Sequence, residues 1–383
     1  MDNSGSKIKE RASEFIRIIK SNPKLAAASV GGPLLIIGIL LLVFFVIWIY
    51  KLLTLDKKNC SKMNKMYSEF PLIASFNPNI DDFSYNLRDY YVRTAYNCCA
   101  PGNYKNTFVN LCALKNCIKQ GARCLDFQIY SLDDNPVIAV SSVGDYNTKQ
   151  SFNSIPFEKA MRIVNNKAFS GNDCPNPGDP MILHFRIYSQ NKKIMDKMGK
   201  IIYDKLEDKV LGPTYSYEYQ GKNLGSVPIS DLRGKIIIIV DNNYGKATGT
   251  KLDEYVNITS GSVFMQALRY YDVKYTPDMN ELQEYNKKQM TICLPDSDKS
   301  PENPSSSVAM EYGCQFVAMC FQKRDSDLKY YNSFFNDAGT AFVLKPESLR
   351  FIPQTIEVPE DAPESNSYKD REINTVIGQV GNI

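Results

Sequence analysis

The strongest hydrophobic pattern in the chain lies near its N-terminus, where Leu34–Tyr50 is almost wholly apolar. No charged residue occurs between Lys24 and Lys51, so the apolar run and its flanks are uninterrupted. A helix of this length spans about 30 Å, the thickness of the bilayer hydrocarbon core, and Trp48 lies where aromatic side chains favour the interface. No small-residue cleavage site follows the run. The pattern predicts one permanent membrane-spanning helix over residues 33–53.

A second pattern, with period two, occupies Gly121–Tyr130 (GARCLDFQIY). Apolar residues alternate there with Asp126 and Gln128, which predicts a strand with one apolar and one polar face. The carboxylate and the amide are two residues apart and therefore point the same way. Two interpretations stay open from this stretch alone, an ordinary half-exposed strand and a strand that ends at a site.

Between residues 93 and 353 the predicted elements alternate between strand and helix. The strands are Val92–Asn97, Arg123–Tyr130, Val137–Ser142, Met181–Tyr188, Lys235–Asp241, Val263–Arg269, Met290–Leu294 and Gln315–Gln322. The helices include Asn106–Gln120, Pro156–Phe169 and Lys192–Val210. This alternation predicts an α/β fold with parallel pairing, for which a (β/α)8 barrel is the economical closure. We expect the first four strands after Asn97 to be parallel neighbours in chain order.

The remaining segments differ in composition. Residues 1–32 are a basic N-terminal segment, 54–92 a polar then aromatic connector, and 354–383 an acidic tail predicted to be flexible. Lys7–Lys20 carries one apolar face, which fits either an interfacial helix on anionic lipid or a short solvated helix.

Charge and cysteine content narrow the choice of partners. The formal charge of +3 is unevenly distributed, because residues 1–65 hold 11 Lys or Arg against 4 Asp or Glu. These basic residues flank the membrane segment, so the lipid bilayer is the predicted partner and nucleic acid is not needed to explain them. Six basic residues precede the span and five follow it closely, so the charge bias predicts no topology.

Ten cysteines occur without a CxxC pair, and the one histidine, His184, is too few for a Cys/His zinc site. Three cysteines inside apolar runs are predicted core thiols: Cys124, Cys314 and Cys320. Six others could supply one or two disulfides in an oxidising compartment: Cys60, Cys98, Cys99, Cys112, Cys117 and Cys174.

Several segments together resemble the X and Y halves of phosphoinositide-specific phospholipase C. They are GARCLDFQIY (121–130), PVIAVSS (136–142), IPFEKAMRIVNNKAF (155–169), DPMILHFRIYS (179–189), LRGKIIIIV (232–240), YGCQFVAMCFQ (312–322) and FVLKPESLR (342–350). The resemblance implies a distorted TIM barrel of the phospholipase-C-like phosphodiesterase type. It also implies a family chemistry that uses two histidines and a calcium ion.

The positions that carry this chemistry are mostly changed in the present chain. The resemblance places Tyr96 and Val140 where the family has its catalytic histidines. The calcium carboxylates correspond to Asp126, Gln128 and Arg186, so one acid is kept, one is an amide and one is a cation. A hard cation prefers oxygen ligands, so we predict that the calcium site is lost and that no metal or cofactor is bound.

Of the other family positions, the phosphate-binding ones are also changed. The phosphate-binding lysines of the family fall near Ile239 and Asp241, while Asn97 keeps the family residue. His184 lies two residues before Arg186 on the same side of its strand, one layer deeper. We interpret it as a core histidine with satisfied hydrogen bonds.

Two functional hypotheses follow. The first is a membrane-anchored, catalytically inactive barrel that serves as a binding or structural module for a phospholipid headgroup or a protein. The alternative is an active phosphoric diester hydrolase with a noncanonical site. That site would comprise Tyr96, Asn97, Asp126, Gln128, Arg186 and Tyr188. The lack of a base that titrates near neutral pH favours the first hypothesis.

A narrower resemblance and one geometric prediction complete the sequence analysis. YNCC, GARCLDFQIY and LHFRIYS are similar to phospholipase-C-like proteins of large DNA viruses, which implies a single-pass protein of a virion or host-cell membrane. A buried guanidinium needs acceptors, and the nearest acid that the resemblance offers to Arg186 is Asp126. We therefore predict an Asp126–Arg186 ion pair, supported by Gln128, Asn97 and Tyr188, where the family holds calcium.

Overall fold

The computed structural model describes residues 23–145, 148–243, 246–353 and 372–382, and four isolated residues before them. These are Ser13, Glu14, Arg17 and Ser21. Most of the predicted segment Lys7–Lys20 and residues 354–371 of the predicted tail lie outside the described residues.

One helix, α1 (Pro23–Met66), contains the predicted membrane span and continues beyond it at both ends. Among the described residues it is the one helix long and apolar enough to cross a membrane. Its large apolar side chains from Ile36 to Tyr50 are mostly exposed. No glycine or proline occurs between Gly38 and Met66, so nothing in the backbone chemistry ends the helix at the edge of the apolar run.

Eleven strands follow in the main body of the chain. They are β1 (Tyr90–Ala95), β2 (Cys124–Leu132), β3 (Asn135–Ile138), β4 (Ile155–Pro156), β5 (Met181–Ile187), β6 (Ile236–Asp241), β7 (Ile258–Ser260), β8 (Met265–Arg269), β9 (Met290–Leu294), β10 (Phe316–Met319) and β11 (Phe342–Leu344). Eight of them are parallel neighbours in the order β7-β6-β5-β2-β1-β10-β9-β8. The ends of this series, β7 and β8, are consecutive in the chain, and the turn between them holds an isolated antiparallel bridge between Ser262 and Met265. The prediction of a distorted (β/α)8 barrel is confirmed in this nearly closed form.

Seven right-handed α-helices accompany these strands in the described ranges, besides the short segment Ser216–Gly221, which has positive φ at residues 217–220. They are α2 (Leu111–Lys119), α3 (Phe157–Lys167), α4 (Lys192–Leu206), α5 (Tyr270–Lys274), α6 (Met279–Lys288), α7 (Ser306–Glu311) and α8 (Ser326–Ala338). The three predicted helices are confirmed with shorter bounds. The first starts at Leu111 instead of Asn106, because Asn110 caps it by accepting a hydrogen bond from the Cys112 amide at 2.9 Å.

The prediction that Val137–Ser142 is a parallel barrel strand is wrong. β3 pairs antiparallel with β2, with Ile129 opposite Ile138, and lies outside the ring. The connecting residues Asp133 and Asp134 have φ values of 49° and 56°. Positive φ at both central residues is typical of a two-residue type I′ hairpin, whereas a parallel neighbour requires a long crossover. β2 consequently pairs directly with β5. The short barrel strand β7 was not predicted.

One disulfide joins α1 to the barrel, between Cys60 and Cys112. Both belong to the six cysteines predicted as disulfide candidates, and the other four are buried free thiols. The three predicted core thiols are also buried and free. On the same stretch of α1, Met63 is buried in the hydrophobic core, together with Tyr67 just beyond the helix end. The C-terminal part of α1 is therefore integral to the barrel domain.

The described residues after Arg350, 351–353 and 372–382, belong to a separate unit. Within the predicted tail, β12 (Glu372–Thr375) and β13 (Gly378–Asn382) pair as an antiparallel hairpin.

Lys345, which follows β11, is expected to make the stability of the barrel depend on pH. Its Nζ donates hydrogen bonds to the carbonyl oxygens of Asn286 (2.9 Å) and Gly313 (3.3 Å), and burial lowers its pKa to about 7. Above that pH the folded state binds fewer protons than the unfolded state, whose lysine titrates near about 10.4, so stability rises with pH over this interval. Relative to Lys345→Met, we expect the wild type to gain about 2 kcal/mol of unfolding free energy between about pH 7 and about pH 9. Urea unfolding of both proteins at the two pH values measures this, and a difference that does not change with pH would contradict it.

Candidate functional site

Four polar side chains meet inside the barrel on two adjacent strands. In the register of β2 and β5, Asp126 lies opposite His184 and Gln128 opposite Arg186. Side chains of a strand alternate between its faces, so all four share the barrel interior towards the carboxyl ends of the strands. All four are buried.

Asp126 and Arg186 form a bidentate ion pair. Arg186 Nε donates to Asp126 Oδ1 at 2.8 Å, and an Arg186 terminal nitrogen donates to Asp126 Oδ2 at 2.7 Å. The predicted pair is thus confirmed as a direct contact. Bidentate pairs of this kind combine charge attraction with a fixed orientation of both groups.

Asn97 completes the contacts of the pair from the end of β1. Its backbone amide donates to Asp126 Oδ2 at 3.0 Å, and its side-chain oxygen accepts from Arg186 at 2.8 Å. The residue has a φ of 42°, in the left-handed region that asparagine tolerates better than most residues. In this conformation the backbone amide of Asn97 contacts Asp126 while its side-chain oxygen contacts Arg186.

His184 connects the pair to the layer below. Its Nδ1 lies 2.8 Å from Asp126 Oδ1, and its Nε2 lies 2.9 Å from the hydroxyl oxygen of Ser260 on β7. Both ring nitrogens therefore have partners, and the side chain is fully buried. The interpretation of His184 as a satisfied core histidine is confirmed.

Aromatic side chains cover the guanidinium on the open side. Arg186 Cζ lies 4.7 Å from the ring centre of Tyr96, and another Arg186 nitrogen donates to the Tyr188 hydroxyl at 3.1 Å. Arg269, at the end of β8, donates to the Tyr96 hydroxyl at 3.2 Å and to the Pro295 carbonyl at 2.8 Å. The sequence analysis missed Arg269, although a charged residue at the end of a predicted strand was a usable signal.

The surroundings of Gln128 and Val140 differ from those that the resemblance implies. Gln128 Oε1 accepts from the Ser141 amide (2.8 Å) and the Tyr130 hydroxyl (3.3 Å), so its hydrogen bonds go to the β3 side rather than to Arg186. The expectation that Gln128 supports the guanidinium is wrong, because β3 returns beside β2 and engages this amide. Val140 is buried in the core.

The two positions that correspond to phosphate-binding lysines also lack a cation. Ile239 is buried in the core. Asp241 accepts hydrogen bonds from the Asn243 amide at 2.8 Å and the Asn243 side chain at 3.0 Å.

Electrostatics keeps the central pair charged. Burial alone would raise the pKa of Asp126, but the charge of Arg186 and the hydrogen bonds from His184 and Arg186 hold this pKa well below its usual value. Burial alone would lower the pKa of Arg186. The negative charge of Asp126 has the larger effect, so the pKa of Arg186 is raised. Burial raises the pKa of Tyr188. At neutral pH the site holds an ionised pair beside the neutral phenol of Tyr188.

This donor set does not fit a calcium ion. Both oxygens of Asp126 are engaged by Arg186, and the guanidinium offers only N–H donors. Calcium takes six to eight oxygen ligands, several of them carboxylates. Across the described ranges no cluster of three or more His, Cys, Asp or Glu residues could hold a metal.

Comparisons with known proteins agree with this fold. Residues 83–242 match the model of the phosphatidylinositol-specific phospholipase C X domain, and residues 255–348 match that of its Y domain. The two matches together cover two thirds of the 383 residues. No curated protein sequence matches the chain.

Solved structures give the same fold. PLC21 of L. pealei is similar with a TM-score of 0.58 and 17% identity, over 70% of this chain and 38% of that one. PLC21 of S. officinalis is similar with a TM-score of 0.56 and 19% identity, over 75% of this chain and 40% of that one. The chain thus spans about two fifths of the length of these structures.

Proposed function

Because the chain belongs to the phosphatidylinositol-specific phospholipase C family over both its X and its Y domain, we propose that it is a membrane-anchored, catalytically inactive member. Its barrel acts as a binding or structural module. One observation carries this proposal, the Asp126–Arg186 ion pair at the centre of the site. An internal cation takes the carboxylate that a metal would need.

The contacts of the site also argue against the alternative of an active hydrolase. Phosphodiester cleavage needs a base for the attacking hydroxyl and an acid for the leaving oxygen. The Asp126 carboxylate is engaged on both oxygens, and His184 has partners on both nitrogens. The raised pKa of Tyr188 keeps its phenol protonated, so it offers an acid but no base.

The anchor and the ligand class follow from other features. The apolar part of α1 is long enough to cross a bilayer and would make the protein single-pass. A phospholipid headgroup or a protein is the proposed partner of the barrel, and no nucleic acid is involved. The narrower resemblance to proteins of large DNA viruses, with its virion or host-membrane location, stays a prediction.

The full chain in vesicles that contain phosphatidylinositol is expected to release no inositol phosphate above the rate of protein-free vesicles, with or without calcium. Tyr96→His combined with Val140→His is expected to stay inactive, because Arg186 still occupies the calcium position. Calcium is also expected to leave the thermal unfolding midpoint unchanged. Turnover on the order of 1 per second that depends on calcium would contradict the proposal.

A further inference from the structure

We propose that α1 holds the barrel with its site-bearing end turned towards the bilayer, so that this end docks on lipid headgroups. The site-bearing end is the end at which the strands of the barrel terminate, with Asn97, Tyr188 and Arg269. This inference rests on the membrane anchoring in the proposed function, and it adds an orientation that anchoring alone does not supply.

The first step is that α1 and α2 run parallel to each other. Asn110 donates to the Asp56 carboxylate at 3.0 Å, Cys112 is bonded to Cys60, and Asn116 donates to Asn64 at 2.7 Å. The sequence separation in these three contacts stays between 52 and 54 residues. A constant separation along two helices means that both run in the same direction.

The second step fixes that direction against the barrel. α2 leaves the carboxyl end of β1 and leads to the amino end of β2, a parallel neighbour of β1. It therefore starts at the site-bearing end and runs away from it. α1 shares this direction, so the part of α1 that precedes Asp56 extends outwards beyond the site-bearing end.

The loops near the start of the α1–α2 contact support the same direction of α1. Leu55, Asn59 and Lys62 line a cleft of about 360 Å³ with residues from the loops that follow β1, β9 and β10. All three loops belong to the site-bearing end, because they follow the carboxyl ends of parallel strands. The membrane segment thus emerges beside the same loops that surround the site.

The distance between barrel and bilayer leaves room for lipid headgroups only. Asp56 lies six positions after Tyr50, the last residue of the uncharged run, which is about 9 Å along the helix at 1.5 Å per residue. The headgroup layer on one side of a bilayer is itself about 5–8 Å thick. A folded protein partner does not fit into this gap, so the bilayer surface is the occupant that the geometry favours.

Charge and rigidity support the same orientation. Lys51, Lys57 and Lys58 on α1 and Lys105 in the loop after β1 are exposed. Lysine side chains near the end of a membrane helix reach the headgroup layer, where their ammonium groups suit lipid phosphates. The disulfide at Cys60 and the buried side chain of Met63 fix α1 to the barrel, and no glycine or proline hinge intervenes. The barrel therefore has one preferred face towards the membrane.

Two labelled variants of the full chain test the orientation. Lys105→Cys places a fluorophore at the site-bearing end, and Glu207→Cys places one past the C-terminal end of α4, at the opposite end; both positions are exposed. The native thiols apart from the disulfide are buried, so the introduced cysteines take the label. In anionic vesicles with a quencher attached to the lipid headgroups, we expect the label at position 105 to be quenched several-fold more strongly. Equal quenching, or stronger quenching at position 207, would overturn the proposal.

A flexible insertion serves as the matched control. A short glycine-serine segment between Leu53 and Thr54, directly after the predicted span, keeps the anchor and every contact of α1 from Asp56 onwards. It is expected to bring the two labels to similar quenching, and a preserved difference would overturn the role of the rigid helix. Vesicle flotation separates the two proposals: protein that does not float refutes the anchor and the orientation with it. Protein that floats without the quenching difference refutes the orientation alone.

Discussion

Replacing Arg186 by methionine is expected to lower the free energy of unfolding by about 3–5 kcal/mol, the typical cost of breaking a buried pair from one side. The variant leaves the Asp126 carboxylate fully buried without the cation that contacts both of its oxygens. Asn97 and Tyr188 also lose their contacts with the guanidinium.

The wild-type advantage over Arg186→Met also has a predictable pH dependence. The pKa of Asp126 is depressed in the folded state, so its contribution is present above the unfolded value of about 3.9 and is lost as pH falls towards the folded pKa. We therefore expect the two proteins to become more alike in strong acid. Urea unfolding at neutral and acidic pH provides the measurement.

A matched control uses an ion pair at the surface. Lys193 and Asp134 are 2.8 Å apart with 73% and 48% of their side chains exposed, so Lys193→Met is expected to change stability within experimental error. Adding Asp126→Asn to Arg186→Met removes the orphaned charge and should recover part of the loss. Equal stabilities of Arg186→Met and Lys193→Met would show that the central pair contributes nothing.

Removing the disulfide by Cys60→Ser with Cys112→Ser is expected to cost about 2–4 kcal/mol, because the link closes a long loop in the unfolded chain. The bonded residues are 52 positions apart. Reductant should lower the free energy of unfolding of the wild type and leave that of the double variant unchanged. The buried free thiols are reduced under both conditions and serve as an internal control.

The outcome for the disulfide also bears on topology. Disulfides persist in oxidising compartments, so the barrel is expected on the non-cytosolic side of the membrane. If reductant left the stability of wild-type protein from native membranes unchanged, both the stabilising disulfide and the non-cytosolic location of the barrel would be contradicted.

The central pair could be predicted from the sequence because it depends on local rules. Period two places Asp126 and Gln128 on one face, and the resemblance sets Arg186 on a neighbouring strand. An arginine in a barrel interior must find acceptors, and one acid was within reach. The membrane helix was predictable for a similar reason, since a long charge-free run has few other uses.

Other features depend on contacts that a single sequence does not reveal. The Tyr96–Arg269 hydrogen bond joins residues 173 positions apart. Six candidate cysteines allow many pairings, and no spacing rule selects Cys60 with Cys112. The β3 error has a local cause instead, because Asp133 and Asp134 between two apolar runs favour a tight hairpin over a parallel crossover.

The parallel contact between α1 and α2 has a mechanical consequence. Tension on the membrane segment acts along the axis of α1 and loads its contacts with α2 in shear. The contacts then share the force and cannot be peeled apart one at a time, while the Cys60–Cys112 bond transfers part of the load covalently to α2. Resistance to forced unfolding is governed by the unfolding rate. Pulling from the N-terminus should therefore break the barrel at a higher force than pulling from the end of β11, and reductant should narrow this gap.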